Sequence, residues 1–391
     1  MDLVFPEIRA REKDHVELRH QIHAHPELAF EEHVTSELVA QRLSQWGYSV
    51  HRGLGGTGVV GTLENGVGRS IGIRADMDAL PIQETTGLPY ASRQPGKMHA
   101  CGHDGHTASL LAAAEHLAAH RNFKGKVRLI FQPAEEGQGG ARKMMEDGLF
   151  KLFPCDAVFA FHNMPGFPVG QFGFRAGAFM ASSDTVIIKV KGRGGHGSAP
   201  HLAVDPVIAC AHIILALQSI VSRNVDPREV AVITVGSIHG GMAPAVIPDS
   251  VEMRATVRAF NPQVREQLRQ RIKEVVTAQA ATLGTEAEID YQWRYPVLVN
   301  EQASTDFARQ VALDWLGPEG VMPKLDPLTG SEDFAFFLQE CPGCYLVIGN
   351  GVGETHATGG CMVHNPGYDF NDAILPLAAS YWVRLVEKFL A

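Results

Sequence analysis

The pattern of apolar and polar residues along this chain is of two kinds, and it changes from one to the other near residue 183. Before it, short apolar or β-branched runs alternate with segments whose apolar residues recur every three or four positions. Strand and helix patterns in alternation predict an α/β layered domain with a largely parallel sheet. The first 46 residues carry helical spacing around His25–Pro26, which predicts two helices joined by a loop. The predicted strands are 59–63, 70–75, 126–131 and 157–161.

From residue 183 the run DTVIIKVKG alternates apolar and polar residues, as a half-exposed strand does, and a long helical pattern follows at 204–221. The remaining patterns give the order β, α, β, β, α, β, which is that of a ferredoxin-like unit. After about residue 300 the chain returns to helix, the apolar run YLVIG, a Gly-rich loop and a last helix. We therefore expect a first domain in two parts with an insertion between them, at 1–182, 183–295 and 296–391.

The composition is that of an ordinary globular protein, with 45% hydrophobic and 20% charged residues among 391. Single cores stop growing near roughly 250 to 300 residues, so this length also favours two domains. A net charge of −9 without a basic run argues against nucleic acid and membrane as partners and leaves small molecules. The N-terminus has no basic start, and no stretch of about 18 consecutive apolar residues occurs. We expect a cytoplasmic protein.

The six cysteines are scattered and do not indicate a disulfide framework. Cys341 and Cys344 form a CPGC sequence like that of redox dithiols. It precedes an apolar run, however, whereas a redox motif opens a helix after a strand, so a redox function is not favoured.

The segment MHACGHDGH at 98–106 holds one cysteine and three histidines in nine residues. Cys101 and His103 are one residue apart, so in an extended or tightly turned segment their side chains converge on one point. A thiolate with an imidazole suits zinc, manganese or cobalt. The alternative is a loop of surface histidines before a helix.

Further candidate ligands lie where predicted strands end, which is where open α/β sheets place their sites. Glu135 and Glu136 follow VRLIFQPA, and neighbours in an extended chain point to opposite sides, so one can bind metal while the other faces a water. His162 ends the run AVFAFHN and His364 lies in a late loop. Each histidine, taken alone, is equally compatible with a structural role.

Asp76 and Asp78 end another apolar run, in RADMDALP. Alternate aspartates at that place can orient a ligand or stabilise a metal-bound group. The alternative is that they cap a helix or close a turn.

Taken together, seven motifs resemble the amidohydrolase branch of the aminoacylase-related co-catalytic metallopeptidases, which includes hippurate hydrolases, N-acetyl-amino-acid deacetylases and auxin-conjugate hydrolases. The resemblance runs from about His20 to about Asp372, with the motifs in order. Each motif alone is weak, but the set is specific. The motifs are RADMDALPIQE, MHACGHDGHT, LIFQPAEEG, HNMPG, GGHGSAPH, SEDF and HNPGYDFND.

The resemblance implies a pair of divalent metal ions, with Cys101 shared between them. Glu135 would be the general base, and Asp78 would orient a group that binds metal. Asp104 and His106 would brace the loop and open the next helix, while His99 has no assigned role. The implied metal ligands are Cys101, His103, Glu136, His162 and His364.

For the inserted domain, the resemblance implies a lid whose histidine, His196, helps to hold the oxyanion or the substrate carboxylate. Such lids also mediate dimerisation, so we expect a homodimer or a dimer-based oligomer. Arg258 resembles a lid arginine that pairs with the amino acid's carboxylate. The simpler readings are an exposed loop histidine and an arginine on a solvated strand face. Where relatives read NVIPD, this chain has Ala245, which leaves its substrate preference less defined.

The expected activity is hydrolysis of the amide bond of N-acyl amino acids, hippurate-like aroyl or acetyl, to a carboxylic acid and a free amino acid. Zinc, manganese, cobalt and nickel remain open as the metal. One alternative is a dipeptidase or aminopeptidase on the same two-metal platform. Another is a metal-dependent binding protein without catalysis, which the intact Glu135–Glu136 pair disfavours.

Overall fold

The structure is a computed structural model that describes residues 3–391. The helices are α1 (Pro6–Ala10), α2 (Glu12–His23), α3 (His33–Gln45), α4 (His103–His120), α5 (Gly140–Glu146), α6 (Leu149–Leu152), α7 (Pro206–Arg223), α8 (Pro262–Thr282), α9 (Gln302–Leu316), α10 (Ala335–Glu340) and α11 (Leu375–Phe389).

The strands follow the same chain order. They are β1 (Ser49–Leu54), β2 (Gly58–Asn65), β3 (Ser70–Asp76), β4 (Gly125–Gln132), β5 (Ala157–Pro165), β6 (Phe172–Gly173), β7 (Gly177–Met180), β8 (Ser183–Lys191), β9 (Gly195–His196), β10 (Ala231–His239), β11 (Val246–Ile247), β12 (Ser250–Ala259), β13 (Glu286–Tyr295), β14 (Leu298–Asn300) and β15 (Gly343–Gly351).

The chain divides into two compact units. The first runs to Gly177 and resumes at Val299–Asp326 and Asp333–Ala391. It contains a seven-stranded sheet in the order β1-β2-β4-β3-β5-β15-β6. The four central strands, β4, β3, β5 and β15, pair in parallel, and the flanking strands pair antiparallel. The predicted α/β class with a mostly parallel sheet is confirmed.

The central strands are buried along nearly their whole length, because helices cover a parallel sheet on both faces. Their sequences are accordingly continuous apolar runs, such as GCYLVIGNG in β15. Helix α4 is rich in alanine and leucine and is buried along most of its length, packing against α2, α3, α11 and the sheet. Its first turn is therefore held rigidly at the end of the sheet.

The second unit comprises Ala178–Leu298 and Pro327–Glu332. Its four strands lie in the order β10-β12-β8-β13 and all pair antiparallel. Helices α7 and α8 pack on this sheet. The connection and the strand order are those of a ferredoxin-like unit.

Helix α7 is long and apolar enough to cross a membrane by length and composition, with a mean hydropathy of 1.5. One face of it is buried on the four-stranded sheet, which accounts for part of that apolar character. The other face leaves Val207, Ile208 and Leu215 exposed.

Several boundaries differ from the sequence predictions. The first 46 residues hold three helices, because Arg11 leaves helical geometry between α1 and α2. Strand β1 was not predicted, because it is largely exposed and lacks an apolar pattern. The sequence predicts a last helix from Asp372, but Asp372–Ile374 form a 3₁₀ turn and the α-helix begins at Leu375.

The second unit also includes residues 327–332, which lie within the last predicted part of the first domain, 296–391. Leu328 bridges to Met180, and the Arg258 guanidinium donates to Ser331 at 2.7 Å, so 327–332 pack with this unit. The unit begins at Ala178 and ends at Leu298, whereas the sequence suggested 183 and 295.

Candidate metal centre

The candidate site lies at the carboxyl edge of the central sheet. Asp76 ends β3 and Glu135 follows β4. His162 lies in the second half of β5, and His364 follows β15. Because these four strands are parallel, their carboxyl ends meet at one edge. Residues far apart in the sequence are thereby brought to one place.

The five predicted ligands form two overlapping triads that share Cys101. In each triad one ligand atom per residue lies within 4.8 Å of the other two. Cys101 Sγ lies 3.2 Å from His162 Nε2, and His364 Nε2 lies 3.2 Å from Glu136 Oε1. The triads are Cys101, His103 and His162, and Cys101, Glu136 and His364.

His162 is held in the tautomer that a metal ligand needs. Its Nδ1–H donates to the Asn163 carbonyl at 2.7 Å, which leaves the Nε2 lone pair directed to Cys101. Burial, together with the nearby His106, lowers the pKa of His162 well below its usual range. The imidazole is therefore neutral, the form that binds metal.

His103 is the first residue of α4, directly after Gly102, which has a φ of +92°. A Cβ on Gly102 would lie 2.3 Å from the Asn163 side-chain oxygen, so only glycine fits this turn. Burial would lower the pKa of His103, but the carboxylates of Asp76, Asp78 and Glu136 raise it to about 10. The ring therefore faces strongly negative surroundings.

The donor set fits divalent metal ions. His103 Nε2 is buried and has no hydrogen-bond partner within residues 3–391. Burial and the carboxylates of Glu136 and Glu135 raise the pKa of the Cys101 thiol well above its usual value. A coordinating metal ion would ionise this thiol and would give His103 Nε2 a partner.

Glu135 is buried beside this cluster, and together with His103 and Glu136 it forms a further ligand group. Its carboxylate accepts a long hydrogen bond, of 3.4 Å, from the backbone N–H of Asp333. The preceding residue, Ala134, has a φ of +54°, a strained value for a residue with a Cβ. The buried Glu32 carboxylate accepts the Ala134 N–H at 2.9 Å and stabilises this bend.

His364 is the most exposed of the predicted ligands, with 52% of its side chain accessible. It has a φ of +64°, and its backbone N–H donates to the Ala100 carbonyl at 2.7 Å. This bond ties the late loop to the segment that carries Cys101. His364 is therefore, with Ala134, one of two residues at the site that have a positive φ despite carrying a Cβ.

Three further residues support the cluster, and two of them, Asn163 and Tyr368, had no role assigned from the sequence. His106 donates to Asp76 at 2.6 Å and contacts the Asn163 side-chain oxygen at 2.8 Å. Asn163 in turn donates to the Tyr368 hydroxyl at 2.5 Å. Asn163 lies in the motif HNMPG and Tyr368 in the motif HNPGYDFND, so membership of these motifs was the signal that could have identified them. His106 therefore ties the first residues of α4 to β3 and β5.

Asp104 accepts hydrogen bonds of 2.9 Å from both Arg19 and His23, so it too braces this region. His99 is buried, and burial, opposed by Asp104, lowers its pKa to about 4. It stays without an assigned role.

The remaining predicted site residues belong to the second unit. His196 is exposed and lies in β9, which pairs with β11 beside Ala245. Its Nδ1 lies 2.8 Å from the Ser198 hydroxyl and 3.2 Å from the Ser198 backbone nitrogen. Arg258 is half-buried in β12 and bonded to Ser331, rather than on a fully solvated face.

An α/β sheet with thiol, imidazole and carboxylate ligands gathered at its carboxyl edge defines a class of metal-binding α/β proteins. The comparison with known families is more specific. The chain belongs to peptidase family M20/M25/M40, whose model matches residues 72–388. The resemblance inferred from the motifs is confirmed.

Similar proteins cover nearly the whole chain. It is 46% identical over 393 residues to hippurate hydrolase of Campylobacter jejuni, covering 100% of both chains. It is 40% identical over 380 residues to IAA-amino acid hydrolase ILR1-like 5 of Arabidopsis thaliana, covering 96% and 86%. The solved structure of Bacillus subtilis YXEP, described as a dinuclear metal-binding peptidase, has a TM-score of 0.81 and 34% identity, covering 98% and 99%.

Proposed function

We propose that the protein is a two-metal amidohydrolase that cleaves N-acyl amino acids to a carboxylic acid and a free amino acid. The observation that carries this proposal is the pair of triads sharing Cys101, with the Glu135 carboxylate beside them. Family membership and the hydrolase relatives support it. In this centre Cys101, His103, Glu136, His162 and His364 would hold the ions.

A pair of divalent ions supplies Lewis acidity for the amide carbonyl and lowers the pKa of water from about 15.7 to about 7. Glu135 then accepts a proton from the attacking water as its oxygen bonds to the carbonyl carbon. It delivers this proton to the amine nitrogen as the C–N bond breaks. The position of Glu135, buried and fixed through its own backbone, suits this shuttle.

In this proposal the second unit supplies residues that bind the substrate. The Nε2–H of His196 would donate to the oxyanion or the carboxylate, and Arg258 would pair with the amino acid's carboxylate. In a homodimer His196 would serve the partner subunit's centre, and the exposed apolar face of α7 offers area for such an assembly. Ala245, beside His196, removes an amide side chain that relatives have there, which bears on substrate preference.

The finer assignments follow from the same chemistry. Zinc, manganese, cobalt and nickel all suit a cysteine, histidine and glutamate set, and availability selects among them. Hippurate-like aroyl groups are the first expectation for the acyl part, with acetyl groups second. We further propose a cytoplasmic location, with no nucleic acid or membrane partner, in agreement with the net charge of −9.

The test is a hydrolysis panel in which the acyl group and the amino acid vary separately, on protein reloaded with each of the four metals. Each substrate is run on wild type and on Glu135→Gln, with the bound metal counted in both. We expect hydrolysis by wild type and a loss of roughly 10²- to 10⁴-fold in Glu135→Gln with metal retained.

Three outcomes would contradict the proposal. Equal rates in wild type and Glu135→Gln would remove Glu135 as the base. Cleavage of a free dipeptide in preference to its N-acylated analogue would favour the dipeptidase alternative. Binding of N-acyl amino acids without release of product on prolonged incubation would favour a binding protein.

A further inference from the structure

A second cluster of metal-seeking side chains lies at the other end of α4. His116 and His120 are one turn apart on this helix, and Glu7 reaches them from α1. One ligand atom of each residue lies within 4.8 Å of the other two. His116 Nδ1 is 3.9 Å from Glu7 Oε2, and His120 Nε2 is 3.7 Å from Glu7 Oε1.

The tautomer of His120 suits metal binding. Its Nδ1–H donates to the His116 backbone carbonyl at 3.0 Å. The Nε2 atom therefore keeps its lone pair, and this is the atom that faces the Glu7 carboxylate. A backbone bond of this kind orients the ring before any ion arrives.

His116 supplies the orphaned atom. Its side chain is 4% exposed, and in the part of the chain that the structure describes its buried Nδ1 has no hydrogen-bond partner. Its ring stacks on that of His120 with centroids 4.2 Å apart. Burial, and then the nearby His120, lowers the pKa of His116 to about 4, so the ring is neutral. A buried polar atom without a partner is destabilising, and a bound cation would satisfy it.

We propose that Glu7, His116 and His120 form a separate site for one zinc-like divalent ion, which fastens α1 to α4. Donor atoms at 2.0–2.1 Å around a tetrahedral ion lie about 3.4 Å from one another, close to the separations seen here. Glu7 and His120, 53% and 35% exposed, leave the solvent side open for a water as fourth ligand.

This site is distinct from the candidate metal centre. His116 lies 13 residues along α4 from His103, which places it about 20 Å away along the helix axis. None of its three residues belongs to the catalytic proposal, so the inference does not depend on that function. Its role would be structural, since it joins the first helix of the chain to a buried helix of the sheet domain.

The experiment counts zinc per chain on protein dialysed against micromolar free zinc, comparing wild type with His120→Gln and Glu7→Gln. Both substitutions are at exposed positions, so the fold is kept. We expect each variant to hold one ion fewer per chain than wild type, whatever the number bound at the catalytic centre. Zinc should also slow hydrogen exchange of α1 amides in wild type and not in the variants.

The matched control is His25→Gln. His25 is exposed, and its Nδ1 donates to the Gln21 carbonyl at 2.9 Å, as His120 does to His116. It belongs neither to the candidate metal centre nor to the group of Glu7, His116 and His120. It should bind as many ions as wild type. Equal zinc content in wild type, His120→Gln and Glu7→Gln would overturn the proposal, as would an α1 exchange rate that zinc leaves unchanged in wild type.

Discussion

The backbone N–H of Glu135 donates a 2.9 Å hydrogen bond to the carboxylate of Asp78. The other oxygen of Asp78 accepts the N–H of Glu136 at 2.9 Å. Asp78 Oδ1 also lies 3.3 Å from His103 Nδ1. The buried carboxylate of Asp78 thus contacts the proposed base and two proposed ligands. It holds a backbone turn through Glu135 and Glu136, and it also orients the ring of His103.

Asp78→Asn should reduce turnover while leaving the fold intact. An amide keeps one acceptor oxygen, but its NH₂ group faces a backbone N–H, so Glu135 or Glu136 loses its fixed position. We expect a fall of roughly 10- to 100-fold in kcat or metal affinity, the usual effect of removing such a support. Steady-state kinetics at saturating metal separate the two effects. Unchanged kcat and unchanged metal affinity would contradict the positioning role.

Cys101→Ala should lower the content of both ions, because Cys101 belongs to both triads. His364→Gln, which alters only one triad, should lower the content of one. Metal analysis after dialysis measures the difference. Cys210→Ala, in the core of the second unit, is the matched control and should keep the wild-type content. Equal losses in Cys101→Ala and His364→Gln would argue against a shared thiolate.

Chelation should lower the melting temperature by several degrees. Removing the ions leaves buried atoms such as His103 Nε2 without a partner, and ligands that bind only the folded state stabilise it. Thermal unfolding before and after treatment with a chelator measures the effect, and added zinc should reverse it. Glu135→Gln should respond like wild type. A melting temperature that is unchanged while the metal is lost would rule out this coupling.

Much of the fold could be predicted because buried parallel strands are continuous apolar runs. The runs at 70–75 and 157–161 became β3 and β5 for this reason. An exposed strand such as β1 carries no such signal. The attachment of 327–332 to the second unit depends on pairing with Met180, far away in the sequence, which no local pattern reveals.

The candidate site was predictable as far as it follows strand ends. Glu136 and His162 follow or end apolar runs, and the parallel sheet brings a ligand atom of each within 4.8 Å of Cys101. Their ligation stays a prediction. Asn163 and Tyr368 meet across 205 positions of sequence, and the group of Glu7 with His116 depends on how α1 lies on α4. Tertiary packing determines such contacts, and the spacing of apolar residues along the sequence does not reveal them.

The stability of the metal-loaded protein should fall as the pH rises from about 6.5 to 9. Burial lowers the pKa of His23, but Asp104 and Glu84 outweigh it and raise the pKa to about 9. A group with a raised folded-state pKa stabilises fully below its unfolded value, near 6.5, and this contribution disappears as the pH passes 9. The loss is roughly 1 to 3 kcal/mol, since each pKa unit corresponds to about 1.4 kcal/mol.

Denaturant unfolding at several pH values measures this slope. His23→Gln should flatten it, although at a lower overall stability, because the titrating group is gone. The exposed His25→Gln should keep the slope of wild type. If His23→Gln and wild type lose stability in parallel between pH 6.5 and 9, another group is responsible.

Two inactive variants should complement each other if His196 serves the partner subunit's centre. The mixed dimer of Glu135→Gln with His196→Ala contains one site with both defects and one with neither, because the intact base meets the intact histidine. Purified through two different affinity tags, it should show about half of the wild-type activity per dimer. If His196 acted within its own subunit, both sites of the mixed dimer would carry one defect and the activity would stay at the level of the parents. His196→Gln, which retains a side-chain donor, should recover part of the activity that His196→Ala loses.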